Sequence, residues 1–131
     1  MSPATAVAPV LNTEQVRAFV DDGYLIVEGL VSPAEVDELR ADTVRLARGE
    51  YPCESLQPMP AELSDQQVTE RILCIHQPHY ISPVIERYVR HEAVCAVLGQ
   101  VTAAHLPHWD GSVKCMQSML FVKPPGFQGH L

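Results

Sequence analysis

Basic residues are scarce in this sequence. Nine Lys and Arg stand against 16 Asp and Glu, a formal net charge of -7, and the isoelectric point is near 5.2. That balance works against non-specific binding to nucleic acid or to anionic membranes, and no basic stripe with interleaved aromatics offsets it. A small anionic ligand would therefore need a local cation. C-x-x-C pairs are missing too: Cys53, Cys74, Cys95 and Cys115 are single and widely spaced. Zinc-ribbon and thioredoxin readings lose their support, and reduced thiols in a cytoplasmic protein are the expectation. There is no G-x-G-x-x-G, no P-loop and no G-x-S-x-G, so the dinucleotide, P-loop and α/β-hydrolase classes drop out. Residues 1–10 lack the basic start and long apolar run of a secretory leader, and no stretch approaches transmembrane length. The partners expected are a small molecule, with no membrane and no nucleic acid.

What remains is a chain of 131 residues, 47% hydrophobic and 19% charged, enough for one core of ordinary size. Eleven prolines predict many connections and few long helices. Residues 1–10 read as a flexible tail and residues 11–131 as the folded portion. Asn12 with Gln15 predicts a helix start, and Val16, Phe19 and Val20 form its apolar stripe up to Gly23. Residues 24–30 read as a short strand. Ser32, Pro33 and Glu35 start a second helix, which runs to about Arg48 and buries Val36, Leu39, Leu46 and Ala47. Its charged residues, Asp42 among them, are expected on a solvated face. Residues 50–65 read as a long loop and residues 69–76 as a strand. Ser82 and Pro83 open a third helix, a fourth follows His91 through about Gly99, and residues 103–111 form a loop.

Residues 112–123, SVKCMQSMLFVK, carry β-branched, aromatic and thioether side chains and no turn residue until Pro124, Pro125 and Gly126. They predict a strand covered on both faces. Alternation puts Gln117, Met119 and Lys123 on one side. An amide, a polarizable thioether and an ammonium at that spacing can line a pocket wall, where the cation meets a carboxylate and the amide orients a polar ligand. The plainer alternative makes Met119 core and leaves Lys123 in solvent.

Two histidine clusters compete for attention. In CIHQPH, His76 and His79 flank Gln77 and Pro78; Pro78 breaks helical geometry, and on a strand the two rings would face opposite sides, so ligation by the pair is disfavoured. His108-Trp109-Asp110 is an H-x-D, and with His130 it would complete a two-histidine, one-carboxylate iron triad. The surrounding Pro and Asp-Gly read instead as a turn, a poor platform for a rigid site.

MQSMLFVKPPGFQGH resembles a segment of the phytanoyl-CoA dioxygenase family of iron(II) and 2-oxoglutarate-dependent oxygenases. The helix, Asp-Gly-Tyr, helix order near the start and residues 74–83 resemble it as well, so the likeness runs from about Leu11 to Leu131. It implies an α+β fold: helices packed on part of a double-stranded β-helix, a jelly-roll or cupin-like barrel, incomplete here. By position it implies Met119 and Lys123 near 2-oxoglutarate, Gln117 near the substrate, and Cys74 and His76 as further co-substrate contacts. The family's metal-binding His-x-Asp is expected just after Leu131, so that the 131 residues hold no iron and are inactive alone. Hydroxylation of an unactivated C–H bond in a small molecule or acyl thioester is the activity implied. An early cut through such a barrel also implies self-association through exposed strand edges. The alternative is a non-catalytic binding or scaffold module.

Overall fold

Capping chemistry sets most helix boundaries in the computed structural model, which describes residues 10–54, 56–106 and 108–123. At α1 (Thr13–Asp22), Asn12 Oδ1 accepts the Gln15 N–H at 2.8 Å while Gln15 Oε1 accepts the Asn12 N–H at 3.0 Å. Ser32 with Glu35 builds the same reciprocal box at α2 (Pro33–Ala47), and Ser64 with Gln67 builds it at α3 (Asp65–Arg71). Losing such a cap costs about 1 kcal/mol. Ser82 Oγ accepts the Ile85 N–H at 3.1 Å to open α4 (Pro83–Val89), and His91 Nδ1 accepts the Val94 N–H at 3.3 Å to open α5 (Glu92–His105). The strands are β1 (Cys74–His76) and β2 (Met119–Phe121).

Several expected boundaries shift, each for a visible reason. Residues 69–71, expected to start a strand, instead end α3, because the Ser64–Gln67 box nucleates a helix that the β-rich composition of 69–76 does not overcome, and the strand is confined to Cys74–His76. Residues 24–30 form no strand; Gly29 sits at φ +68, and Tyr24 and Ile26 are 67% and 74% exposed. α5 continues through Gly99, which is buried: a Cβ there would lie 2.8 Å from the Gly111 carbonyl oxygen. This glycine serves a close backbone approach and not a helix stop. The predicted twelve-residue strand pairs only over Met119–Phe121. Pro124, Pro125 and Gly126, the expected strand stop, lie outside the described residues, as does most of the expected tail.

The chain separates into two units. One joins the stretch up to Leu30 with Arg90–Lys114. In it, α1 meets α5 with the Phe19 and His105 rings edge-on at 5.5 Å. Gln100 clamps the backbone ahead of α1, its Oε1 accepting the N–H groups of Val10 and Leu11 at 2.9 Å and its Nε2 donating to the Leu11 carbonyl at 3.0 Å. The other unit joins Val31–Val89 with the stretch from Cys115 onward. Its core is Leu46, Ala47, Val68, Ile72, Ile75 and Ile85, drawn from α2, α3, α4 and β1. Burial of each large aliphatic side chain contributes roughly 1.5–3 kcal/mol.

In this second unit β1 and β2 run antiparallel, with Cys74 opposite Phe121, Ile75 opposite Leu120 and His76 opposite Met119. The mixed helix and strand content agrees with the α+β expectation. Among the described residues the sheet has two strands and is open, not closed into a barrel. No described helix is long and apolar enough to cross a membrane.

Candidate functional site

The two strands define two unlike faces. Ladder bonds link Val122 N–H to the Leu73 carbonyl at 3.3 Å and Gln77 N–H to the Ser118 carbonyl at 2.9 Å. Antiparallel ladders alternate hydrogen-bonded and non-hydrogen-bonded pairs, so 73–122, 75–120 and 77–118 are the bonded positions. Cys74–Phe121 and His76–Met119 are then the pairs whose side chains approach most closely. Ile75 is buried and Leu120 packs half-buried on the same core. The opposite face carries Cys74, His76, Met119 and Phe121, and Met119 and Phe121 are 46% and 50% exposed.

That face gathers residues predicted separately from two distant stretches. Cys74 Sγ lies 3.6 Å from His76 Nε2, and Met119 is the cross-strand partner of His76. Lys123 follows at the end of β2, its Nζ 5.3 Å from the centroid of the Phe121 ring. Lys123 and Phe121 also border a groove of about 570 Å³ whose other lining includes Arg40, Thr43 and Thr69. Two cations, Lys123 and Arg40, thus border one groove, but Asp65 lines it as well and Arg40 Nη1 lies 3.9 Å from Asp37, so the groove mixes both signs of charge. Gln117 is exposed and lies just outside the paired residues, its carbonyl accepting from Cys115 Sγ at 3.3 Å. The strand is not covered on both faces: Met119 is not core, since the core side belongs to Leu120 and Val122.

The internal H-x-D has a different role. Asp110 accepts the Ser112 N–H at 2.9 Å, and that hydrogen bonding to Ser112 holds its carboxyl below the usual carboxylate range. Gly111 follows at φ +82. This is a turn, as expected, and His108 and Asp110 are both exposed on it. His130 lies outside the described residues. Among the described residues no three His, Cys, Asp or Glu side chains converge as a metal site. The sheet face carries instead a thiol, an imidazole and a thioether, with the Lys123 ammonium at its edge.

The structure also shows polar residues whose importance the sequence did not reveal. Asp42, expected on a solvated face, is 1% exposed. The hydroxyls of Tyr51 and Ser82 both donate to its carboxylate, and Arg45 Nη1 lies 3.8 Å away. The bond to Asp42, together with burial, raises the Tyr51 hydroxyl above its ordinary pKa. Since Ser82 also caps α4, Asp42 ties α2 to the turn that follows β1. In that turn, the 3₁₀ segment Pro78–Tyr80, His79 Nδ1 meets Ser118 Oγ at 2.5 Å. Gln77 Oε1 accepts the Ser118 N–H at 3.2 Å. Gln77 has φ +53, the one positive φ at a non-glycine among the described residues, a conformation that costs of order 1 kcal/mol or more. The only sequence signal was the Pro after Gln77, which favours a turn but does not name its geometry.

Comparison with known proteins identifies the family. Residues 19–131 match the family model for phytanoyl-CoA dioxygenase. The ectoine dioxygenase of Nocardia farcinica is 27% identical over 124 residues, covering 91% of this chain and 36% of the relative. That of Bordetella parapertussis is 29% identical over 127 residues, covering 93% of this chain and 35% of the relative. The chain therefore spans about a third of the length of these relatives. No solved structure matches it. With its family-like stretches paired in one sheet and most of its length matched, the chain belongs to the phytanoyl-CoA dioxygenase family.

Proposed function

We propose that these 131 residues are the N-terminal portion of an iron(II) and 2-oxoglutarate-dependent dioxygenase that hydroxylates an unactivated C–H bond. One observation carries the reading: the two stretches of strongest family likeness, 74–83 and 114–129, meet as β1 and β2, and the pairing puts Cys74, His76 and Met119 on one exposed face. In this reading the face is one wall of the co-substrate pocket. The Lys123 ammonium pairs with a carboxylate of 2-oxoglutarate, and the Met119 thioether packs against its carbon chain. Cys74 and His76 flank the same ligand, and Gln117 orients the substrate at the wall's edge.

The open β1–β2 sheet is the beginning of the double-stranded β-helix, whose later strands would cover the Met119 and Phe121 face. Iron comes from ligands supplied by a longer chain, and the 131 residues alone are inactive. Left uncovered, the strand edges and the exposed apolar face favour self-association. Ectoine, the molecule in the relatives' name, is the first substrate to assay; an acyl-CoA thioester, the molecule in the family's name, is the second.

The test is an anaerobic iron(II) titration with 2-oxoglutarate, following the metal-to-ligand charge-transfer absorption. It is run on the 131 residues and on a form extended to the relatives' length. The band is expected in the extended form alone. Its absence from both forms would sink the dioxygenase reading. A band from the 131 residues would move the metal to His108, Asp110 and His130, and His108→Ala would then abolish it.

A further inference from the structure

The residues between β1 and α4 form a device for holding β2 in place. Beyond the last ladder pair, His76 with Met119, the next opposed residues are Gln77 and Ser118. In a bonded antiparallel pair each residue gives its N–H to the other's carbonyl. Gln77 gives its N–H to the Ser118 carbonyl at 2.9 Å in the ordinary way. The return bond is different. Gln77 turns into the left-handed region at φ +53 and ψ +43, and its side-chain Oε1 takes the Ser118 N–H at 3.2 Å in place of its main-chain carbonyl. The chain can therefore leave the sheet at Gln77 while the ladder gains one more closed pair. His79 Nδ1 then meets the Ser118 hydroxyl at 2.5 Å, so all three polar groups of Ser118 are engaged by this one turn.

Ser118 immediately precedes Met119. β2 is three residues long, and so short a ladder specifies register weakly by itself. A slip of one residue would turn Met119 and Phe121 toward the core and Leu120 and Val122 outward. A side chain that catches the residue before β2 removes that freedom. Asp42 braces the far end of the same turn: Ser82 gives its hydroxyl to Asp42 and its N–H to the Pro78 carbonyl at 2.9 Å.

We infer that Gln77 is a positioning residue that fixes the register of β2, and so determines that Met119 and Lys123, not Leu120 and Val122, form the ligand-facing wall. The consequence for ligand binding rests on the function proposed above, whereas the register itself does not. Glutamine at a left-handed position is a strained choice where glycine or asparagine would turn the chain more easily. The length of its side chain, which asparagine lacks and glycine has none of, is what reaches Ser118.

The experiment compares Gln77→Met, which keeps length but has no acceptor, with Gln77→Glu, which keeps the acceptor oxygen. Two readouts are taken on the form extended to the relatives' length: amide hydrogen exchange, and the 2-oxoglutarate affinity from the charge-transfer titration. Gln77→Met is expected to speed exchange at the Ser118 and Leu120 amides at least tenfold while core amides such as Val68 and Ile85 keep their protection. It should weaken 2-oxoglutarate by a similar factor, and Gln77→Glu should restore both. Unchanged exchange at Ser118 and Leu120 in Gln77→Met would overturn the clamp, and so would core amides that lose protection equally. Faster exchange with unchanged affinity would overturn the positioning role. If the unsubstituted protein binds no 2-oxoglutarate, the wall reading fails, and the exchange pattern still decides the clamp.

Discussion

Ile75 and Leu120 oppose each other across the β1–β2 ladder and join the core with Leu46, Val68, Ile72 and Ile85, whereas the pairs on either side of them lie on the opposite face. The inner face is apolar, and among the described residues no buried side-chain nitrogen or oxygen lacks a hydrogen-bond partner. The outer face mixes a thiol, an imidazole, a thioether and an aromatic ring, half exposed at Met119 and Phe121. Strand alternation alone separates two tasks within three residues of each strand. The core lies on the side of Ile75 and Leu120, and the side of His76 and Met119 is the one the proposed ligand would use. Substitutions on the two faces should therefore report on different things.

The largest effect belongs to the inner side. Leu46 is 1% exposed at the centre of the core, and Leu46→Ala should destabilise the fold by about 2–5 kcal/mol, read from urea unfolding. A loss below about 1 kcal/mol would mean that the helices do not depend on this core. Next comes Asp42→Ala, which leaves the buried Ser82 hydroxyl and the half-buried Tyr51 hydroxyl without their acceptor and should cost roughly 2–3 kcal/mol. Asp42→Asn, which keeps one acceptor oxygen, should cost less. The same network predicts an alkaline dependence. Because the Tyr51 pKa is raised in the folded state, its proton-linked share of stability is complete at neutral pH and is lost as pH rises through and beyond the ordinary tyrosine range. Tyr51→Phe should remove that dependence from unfolding curves measured across alkaline pH.

A smaller effect is expected at the exposed link between α2 and α4. Glu38 accepts from Arg87 Nη2 and from the Tyr88 hydroxyl, both at 2.5 Å, and these bonds hold its carboxyl below the usual range. A lowered folded-state pKa gives stability that is present above the unfolded value and lost as pH falls through the folded one. Glu38→Gln should flatten the acid limb of stability against pH slightly, since solvent screens a pair so exposed. An acid limb identical to that of the unsubstituted protein would show that the link contributes nothing measurable.

Local chemistry was the most legible part of the fold. The Asn12–Gln15 and Ser32–Glu35 boxes and the Ser82 cap stand where their residue types placed them, because a cap is satisfied within one turn of chain. Ser64–Gln67 is the same signal, but it stands at the end of a Pro-rich stretch that reads as a loop and just ahead of a β-rich run, and it went unread. Gly99 was misread for another reason: a glycine that ends a helix and a glycine that admits a distant carbonyl look alike until Gly111 is seen against it. The site shows the same limit. Alternation grouped Met119 with Lys123 within one stretch, but only the cross-strand register sets Met119 beside His76, a partner more than 40 positions earlier. Asp42 was invisible because its two hydroxyl donors, Tyr51 and Ser82, come from separate segments, and a carboxylate amid charged neighbours on a helix reads as solvated.

The outer face gives the smallest change in stability and the sharpest test of the comparison. Met119→Ala removes a side chain that is already 46% exposed, so unfolding free energy should move by no more than about 0.5 kcal/mol. Lys123→Met should be equally mild for folding, because its contact with the Phe121 ring is an exposed cation–π pair. If the face is the co-substrate wall, both variants should nevertheless weaken 2-oxoglutarate in the charge-transfer titration of the form extended to the relatives' length. Lys123→Met should do so by roughly tenfold or more, since it removes a charge-assisted hydrogen bond. A destabilisation of several kcal/mol by Met119→Ala would return this residue to the core and collapse the distinction between the faces. Unchanged folding together with unchanged affinity would keep the distinction but move the ligand away from Met119 and Lys123 altogether. Weakened affinity with intact folding is the result that only a ligand-bearing wall produces.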